Sequence, residues 1–334
     1  MQQFINPLLN DLHQLHILKD KELLFIVAIN GNKYSQSIGG CRFLDYNNFE
    51  EAIIEASKLA KAMYYKNCLF GLPFNGGKAV VLKNNLDREI TFSRLGRFIN
   101  SLSGKYVTGL DVGVSQKDMD IVKTYTEHVA EDCSEATAIG IVESIKQIAN
   151  TQGKNLTLNG VKISIQGAGK IGSLIAKKLH CLGATLIISD INEQTIDKIK
   201  NTLPVKVVEP ELIYKEHTDI FCPCALGEII DIEAARNINC KIILGPANNQ
   251  LSSMEASQVL WERNILHIPE SIVSAGGVIF SSYNYIYKSY EFSMKKIEII
   301  STVLKEYLDL YFQAPEPTVK ILNRLYTKKN IRVI

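Results

Sequence analysis

The rhythm of hydrophobic and polar positions changes once along the chain, near Glu135. Before that point the pattern is mixed. The stretch ELLFIVAINGNKYSQSIGGCRF places apolar, strand-like runs on both sides of Asn30-Gly31, which predicts a β-hairpin or meander. Asn48 with Glu51 three residues on has the form of a capping box, and Ile53, Ala56, Ala60 and Met63 follow at helical spacing. That helix is expected to end near Lys66, before Gly71-Leu72-Pro73 breaks the chain. KAVVL then reads as a short buried strand, TFSRLGRFINSLSG as a helix ended by Gly104, and KYVTGLDVG as a strand running into a loop. SQKDMDIVKTYTEHVAE reads as a further helix, capped by Ser115 with Asp118 in the capping-box position.

From Ala136 onward apolar runs alternate with helical segments: VKISIQ, IGSLIAKKLHCLG, TLIISD, NEQTIDKIKNTL, TDIFCPCA, CKIILGPA, ILHIPESIV. Continuous apolar strands separated by helices predict a parallel sheet covered on both faces. SMKKIEIISTVLKEYLDLYFQ reads as one long amphipathic helix. The expected organisation is α/β with two domains. Residues 1–134 are expected to form a mixed-sheet α/β domain, 135–285 a Rossmann-type domain, and 286–334 helices that pack back across both.

Glycine spacing adds chemistry to that frame. Gly167-x-Gly169-x-x-Gly172 follows an apolar strand and opens a helix. The first glycine permits a tight turn, the second lets the backbone approach a pyrophosphate, and the third lets the helix lie close to the strand. Gly167, Ala168, Gly169, Lys170, Ile171 and Gly172 are therefore candidate dinucleotide contacts, with the helix N-terminus facing the phosphates. Asp190 ends the next strand, where a carboxylate accepts hydrogen bonds from a ribose 2′-hydroxyl and repels a 2′-phosphate, so NAD is expected over NADP.

A second constellation is GLPFNGGKAVV, Gly71 to Val81. Lys78 follows two glycines and precedes an apolar run, and Lys66 lies twelve residues upstream in AKAMYYKN. Desolvation and a neighbouring like charge both lower a lysine pKa, so Lys78 is a candidate base while Lys66 stays charged to hold a carboxylate.

Bulk properties narrow the class. The 334 residues carry a net charge of +2, which gives no field for nucleic acid or an anionic membrane. No run is apolar enough to span a bilayer, and MQQFINPLLNDLHQLHILKDKE has no signal-peptide form. Seven scattered cysteines suit reduced thiols in a cytoplasmic protein. Cys222-Pro223-Cys224 lacks metal-ligand spacing, and no metal is expected.

GGCRF, MYYKN, GLPFNGGKAVV, LDVG followed by DMDI, CPCALG and GPANNQL occur in that order. This series is similar to the glutamate/leucine/phenylalanine/valine dehydrogenases, most like the leucine and phenylalanine/tryptophan branches, over about residues 20 to 300. The resemblance implies reversible, NAD-dependent oxidative deamination of an L-amino acid to a 2-oxo acid and ammonia, by an assembly of at least a homodimer. It implies that Lys66 binds the substrate carboxylate, with Gly39 and Gly40 approaching the same group. Lys78 would activate water, and Asp111 in LDVG would shuttle protons to and from the amine. Asn248, Asn249, Cys224, Ala225 and Leu226 would line the cofactor site across the cleft. Ile38 stands where glutamate enzymes carry a lysine, so glutamate is disfavoured. Gly109, Val278 and Ser281 would shape the side-chain pocket, and Gly109 leaves room for a bulky apolar or aromatic group. Two departures stand out: Ser274 replaces the family's asparagine in NAGG, and the junction loop around AEDCSEATAIG is short, with Thr137 as its cofactor contact. They leave two alternatives open, a relative with altered or lost dehydrogenase chemistry inside a natural-product pathway and a non-catalytic nucleotide-binding protein.

Overall fold

The structure, a computed structural model, describes residues 12–20, 23–82, 86–151, 157–225, 227 and 229–331. The chain divides into two compact units. One runs to Asp132 and includes Val278–Lys296; the other comprises Cys133–Gly277 and the chain from Ile297.

The first unit is built on a mixed six-stranded sheet. Strands β1 (Gln14–Asp20), β2 (Leu23–Asn30), β3 (Ser37–Ile38), β4 (Cys41–Leu44), β5 (Asn75–Leu82) and β6 (Tyr106–Val107) lie in the order β1-β2-β5-β3-β6, with β4 also paired to β5. β2 is antiparallel to β1 and β5, whereas β3 and β4 run parallel to β5. The hairpin expected about Asn30-Gly31 does not form. Gly31 does turn the chain, at φ +94, but β3 beyond it pairs with β5 and β6 rather than with β2. Every residue of β2 is buried, so both of its edges need partners. β1 fills one edge and β5 the other, and apolar rhythm alone does not say which strand fills which.

The two faces of this sheet are unequal. Phe25, Val27, Ile29, Ala79 and Val81 meet Phe92, Leu95, Phe98 and Ile99 from the helix Arg88–Ser101. On the other face Leu24, Ile26, Ala28 and Val80 meet Ala52, Ala56 and Ala60 from the helix Phe49–Leu69. Alanines at i, i+4 and i+8 bring that helix close to the sheet. A Cβ on Gly76 would lie 2.1 Å from Ala60 O and 2.2 Å from Tyr64 N. Gly76 is therefore required by packing. Asn48 caps the helix by accepting from Glu51 N, while Glu51 reaches back to Asn47 rather than Asn48, so the expected box is half formed. The Ser115–Asp118 box at the helix Gln116–Lys123 is complete.

The second unit holds β7 (Lys162–Gln166), β8 (Thr185–Ser189), β9 (Lys206–Val207), β10 (Thr218–Pro223), β11 (Cys240–Ile243) and β12 (Leu266–His267). All pairings are parallel, in the order β12-β11-β10-β7-β8-β9. Read from the other edge this is 3-2-1-4-5-6, the doubly wound order whose direction reverses beside the first strand. The long C-terminal helix read from the sequence is broken. Tyr290–Lys295 is followed by a 3₁₀ turn, Lys296–Glu298, before the helix Ile299–Gln313. The turn and the helix after it bury Ile297, Ile300, Val303, Leu304, Tyr307 and Leu308. No helix among the described residues is long and apolar enough to cross a membrane.

Candidate active site

Lys78 lies within β5, opposite Ala28 of β2. With a period of two it shares the face of Val80, towards the helix Phe49–Leu69. It is only 6% exposed. A buried ammonium needs a partner, and the partner is Asp111: Lys78 Nζ stands 2.5 Å from Asp111 Oδ2. Arg42, on β4, donates from Nε to the same oxygen at 3.0 Å and from its Nη1 to Glu55 of the long helix. The site is thus a line of alternating charge, Glu55–Arg42–Asp111–Lys78. Burial alone raises the Asp111 carboxyl, but Lys78 and Arg42 outweigh it and hold it down at about 2. The carboxylate is ionised at any working pH.

The sequence expectation pairs Lys78 with Lys66 and gives Asp111 the proton traffic of the substrate amine. In the structure Asp111 is the immediate neighbour of Lys78. Lys66 is half-buried in the last turn of the long helix. That turn is tied to the start of β5, because the buried Asn67 donates from Nδ2 to Asn75 O at 3.0 Å. Sequence reasoning missed Arg42, Glu55 and Tyr106. The Tyr106 hydroxyl is fully buried, donates to Gly39 O at 2.7 Å and accepts from Ala79 N at 3.0 Å. It locks the Gly39-Gly40 segment to the residue after Lys78. A Cβ on Gly39 would strike Gly77 O at 1.7 Å, and one on Gly40 would lie 2.9 Å from Asp111 Cβ. Arg42 sits in the run GGCRF, yet arginine is so often a solvated surface group that identity alone gave no signal.

Ile38 is buried and pairs with Gly76 and Val107. A Cβ on Gly109 would meet only Ala130 Cβ, at an ordinary 3.5 Å. Val278 and Ser281 are buried one turn apart on the helix Gly276–Tyr287, in the part of it that belongs to the first unit.

In the second unit, Gly167 has φ +95 and Gly172 packs so closely that a Cβ would lie 2.0 Å from Gly167 O. Gly169 is the contrast: nothing lies within 4 Å of where its Cβ would be. No side chain caps the helix Lys170–Cys181 that it opens. The loop therefore offers open space beside amide donors, which fits a dinucleotide pyrophosphate. Lys170 is exposed and Ile171 half-buried at the head of that helix. Asp190 accepts from Ala168 N at 2.7 Å and from Asn192 N at 2.8 Å, so it braces the loop and keeps lone pairs for a ribose. Cys224 and Ala225 pack under Gly167, and Cys224 touches Gly172. Cys222 Sγ and Cys224 Sγ lie 3.7 Å apart, as free thiols. Asn249, at φ +51, donates its N–H to Glu270, and Asn248 O packs against Gly227. Ser274 donates its hydroxyl proton to Glu270 O at 2.7 Å. Thr137 is buried and donates to Cys133 O. Leu226 falls outside the described residues.

Comparison with known proteins agrees with both halves. A family model described as the Glu/Leu/Phe/Val dehydrogenase dimerisation domain matches residues 25–128. A second, described as Glutamate/Leucine/Phenylalanine/Valine dehydrogenase, matches 130–197 and 188–331. Leucine dehydrogenase of Thermoactinomyces intermedius is 36% identical over 309 residues, 88% of this chain and 84% of that protein. L-tryptophan dehydrogenase of Nostoc punctiforme is 32% identical over 300 residues, 87% of this chain and 85% of that protein. The crystal structure of L-tryptophan dehydrogenase from Nostoc punctiforme superposes with a TM-score of 0.78 at 30% identity, covering 96% of each chain. With both family models matched in sequence order and the lysine, carboxylate and glycine-loop geometry in place, the chain belongs to the Glu/Leu/Phe/Val dehydrogenase family.

Proposed function

We propose that this protein catalyses the reversible, NAD-dependent oxidative deamination of an L-amino acid with an apolar or aromatic side chain. The observation that carries the reading is the buried Lys78–Asp111 ion pair, which puts a proton donor–acceptor couple at 2.5 Å inside the substrate unit. Relatives named leucine, tryptophan and valine dehydrogenase support the reaction class.

Each residue has a task in that reaction. Lys66 holds the substrate carboxylate, beside the Gly39-Gly40 backbone. A bound nicotinamide supplies the hydride acceptor for Cα. Asp111 takes a proton from the substrate ammonium and returns one to the departing amine. Lys78, having passed its proton to solvent, draws a proton from water as that water adds to the iminium carbon. The dinucleotide is held by Gly167, Ala168, Gly169, Lys170, Ile171, Gly172 and Asp190, with Cys224, Ala225, Leu226, Asn248, Asn249, Ser274 and Thr137 as further contacts. Asp190 supports NAD over NADP, because a 2′-phosphate would meet its charge. Ile38 leaves a second carboxylate without a cation, which disfavours glutamate. Gly109, Val278 and Ser281 leave the side-chain pocket wide.

The protein is read as a cytoplasmic homodimer or larger homo-oligomer. All seven cysteines are free thiols, and the edge strand β1 exposes Ile17 and Leu18 within the unit where the dimerisation model begins to match.

The test is a spectrophotometric screen of L-amino acids with NAD. The expected result is NADH formation with leucine, phenylalanine or tryptophan and little with glutamate, and its near-complete loss in Lys78→Ala with NADH binding retained. No NADH from any amino acid with the wild-type protein, despite bound cofactor, would overturn the reading.

A further inference from the structure

Lys78 cannot serve as the lasting counter-ion of Asp111 if it is to act as a base. Each time it gives up its proton, the buried carboxylate loses one of its two cations. The remaining one is Arg42, and its placement is not incidental. Arg42 lies opposite Val80 in the parallel β4–β5 register, so its side chain rises on the same face as Lys78. Its guanidinium is mostly buried, at 13% side-chain exposure, and is gripped at both ends: Nε on Asp111 Oδ2 and Nη1 on Glu55. Glu55 is fixed in turn by the helix whose alanine face packs on the sheet. Both cations meet the same oxygen, Oδ2.

We propose that Arg42 is the positioning residue for Asp111. Its fork, anchored on Glu55, holds Oδ2 whichever protonation state Lys78 is in, so that Oδ1 is always the oxygen presented to the substrate amine. Arg42 touches no reacting atom; it acts through Asp111. A guanidinium suits this task because it stays protonated and donates in two fixed directions at once, whereas a lysine offers a single point charge. The depressed Asp111 carboxyl agrees with a second permanent cation beside it. This inference rests on the proposed deamination, in which Asp111 handles the amine proton.

The experiment uses the full-length protein with Arg42→Gln, Arg42→Ala, Arg42→Lys, Glu55→Gln and Asp111→Asn. For Arg42→Gln the expected result is a fall in kcat of about 100-fold, the scale of one lost proton-transfer step. The amino-acid KM should change by less than about threefold, because Lys66 and the glycines still bind the carboxylate, and NADH affinity should not change. The solvent isotope effect should rise while the Cα-deuterium effect falls, as proton transfer replaces hydride transfer in limiting the rate. Methylguanidinium at millimolar concentration should restore part of the activity of Arg42→Ala and none of Asp111→Asn. Arg42→Lys should lie between wild type and Arg42→Gln. A residue that merely supported the fold would lower stability or NADH binding and leave both isotope effects and the rescue unmoved. That pattern, or an Arg42→Gln enzyme with wild-type kcat, overturns the inference while the activity stands. Should the Arg42 variants fail to fold, Glu55→Gln decides: it keeps the cation but frees its outer end, and the same isotope signature is expected with a smaller rate loss. Its absence counts against Arg42 equally. A wild-type enzyme inactive with every amino acid removes the deamination reading, and this inference with it.

Discussion

Replacing Gly76 by alanine tests how the two lysines are held relative to one another. Gly76 lies two residues before Lys78 on β5, and the backbone it touches leads into the turn that carries Lys66. The added Cβ would meet Ala60 O at 2.1 Å and Tyr64 N at 2.2 Å, against an ordinary contact of 3.4–4 Å. Both atoms are helix backbone, so no side chain can swing aside. The helix must retreat by about 1 Å, and overpacking of this kind costs roughly 1–3 kcal/mol. For a unit of this size that lowers the thermal midpoint by roughly 2–12 °C. The kinetic effect should be larger in proportion, since a misplacement of about 1 Å at a reacting site costs on the order of 100-fold. The assay is kcat/KM for the best amino acid, alongside thermal unfolding. Gly71→Ala is the control: φ is +63 but nothing lies within 4 Å, so it should cost about 1–2 kcal/mol from backbone strain with kinetics unchanged. If Gly76→Ala keeps wild-type kcat/KM and midpoint, the close helix–strand approach does not set the lysine geometry and the reasoning fails.

Other outcomes follow from the charges. Asp111, held at about 2 against an ordinary 3.8, contributes stability that is present above pH 3.8 and lost as the pH falls towards 2; acid titration of unfolding should show a step of about 2 kcal/mol that Asp111→Asn lacks. His267 is buried and pushed down to about 4, so the unfolded chain binds its proton first and stability should fall as pH drops from 6.5 towards 4. Its Nε2 donates to Gln250 Oε1, because Gln250 spends its amide on Gly245 O, and Nδ1 is left as a bare, buried acceptor; His267→Gln should flatten the pH dependence in that window, seen by unfolding at several pH values. Asp190→Ala removes the acceptor for Ala168 N and Asn192 N, so NADH should bind about tenfold more weakly while NADPH binding rises, measured by fluorescence titration.

Local chemistry accounts for what could be read along the chain. Asn48 and Ser115 start helices because a side-chain oxygen meets an amide three residues on, a property of sequence-local geometry. The parallel second sheet follows from apolar runs separated by helices, and the glycine loop with Asp190 follows from backbone conformations that only glycine adopts freely. The Asn30-Gly31 signal misled because turn chemistry fixes a reversal but not the strand that receives it. The C-terminal break at Lys296–Glu298 was hidden because a 3₁₀ turn keeps an apolar stripe nearly in phase.

The order of residues by itself determined the class of fold, the dinucleotide loop and the identity of the lysines and the aspartate, since each rests on interactions a few residues long. Only the tertiary structure decided that Asp111, Arg42 and Glu55, separated by 69 and 13 positions, would form one charge line with Lys78. It likewise decided that Tyr106 would fasten the Gly39 segment across 67 residues. Those contacts depend on strand order and register, which long-range burial selects and which no local pattern encodes.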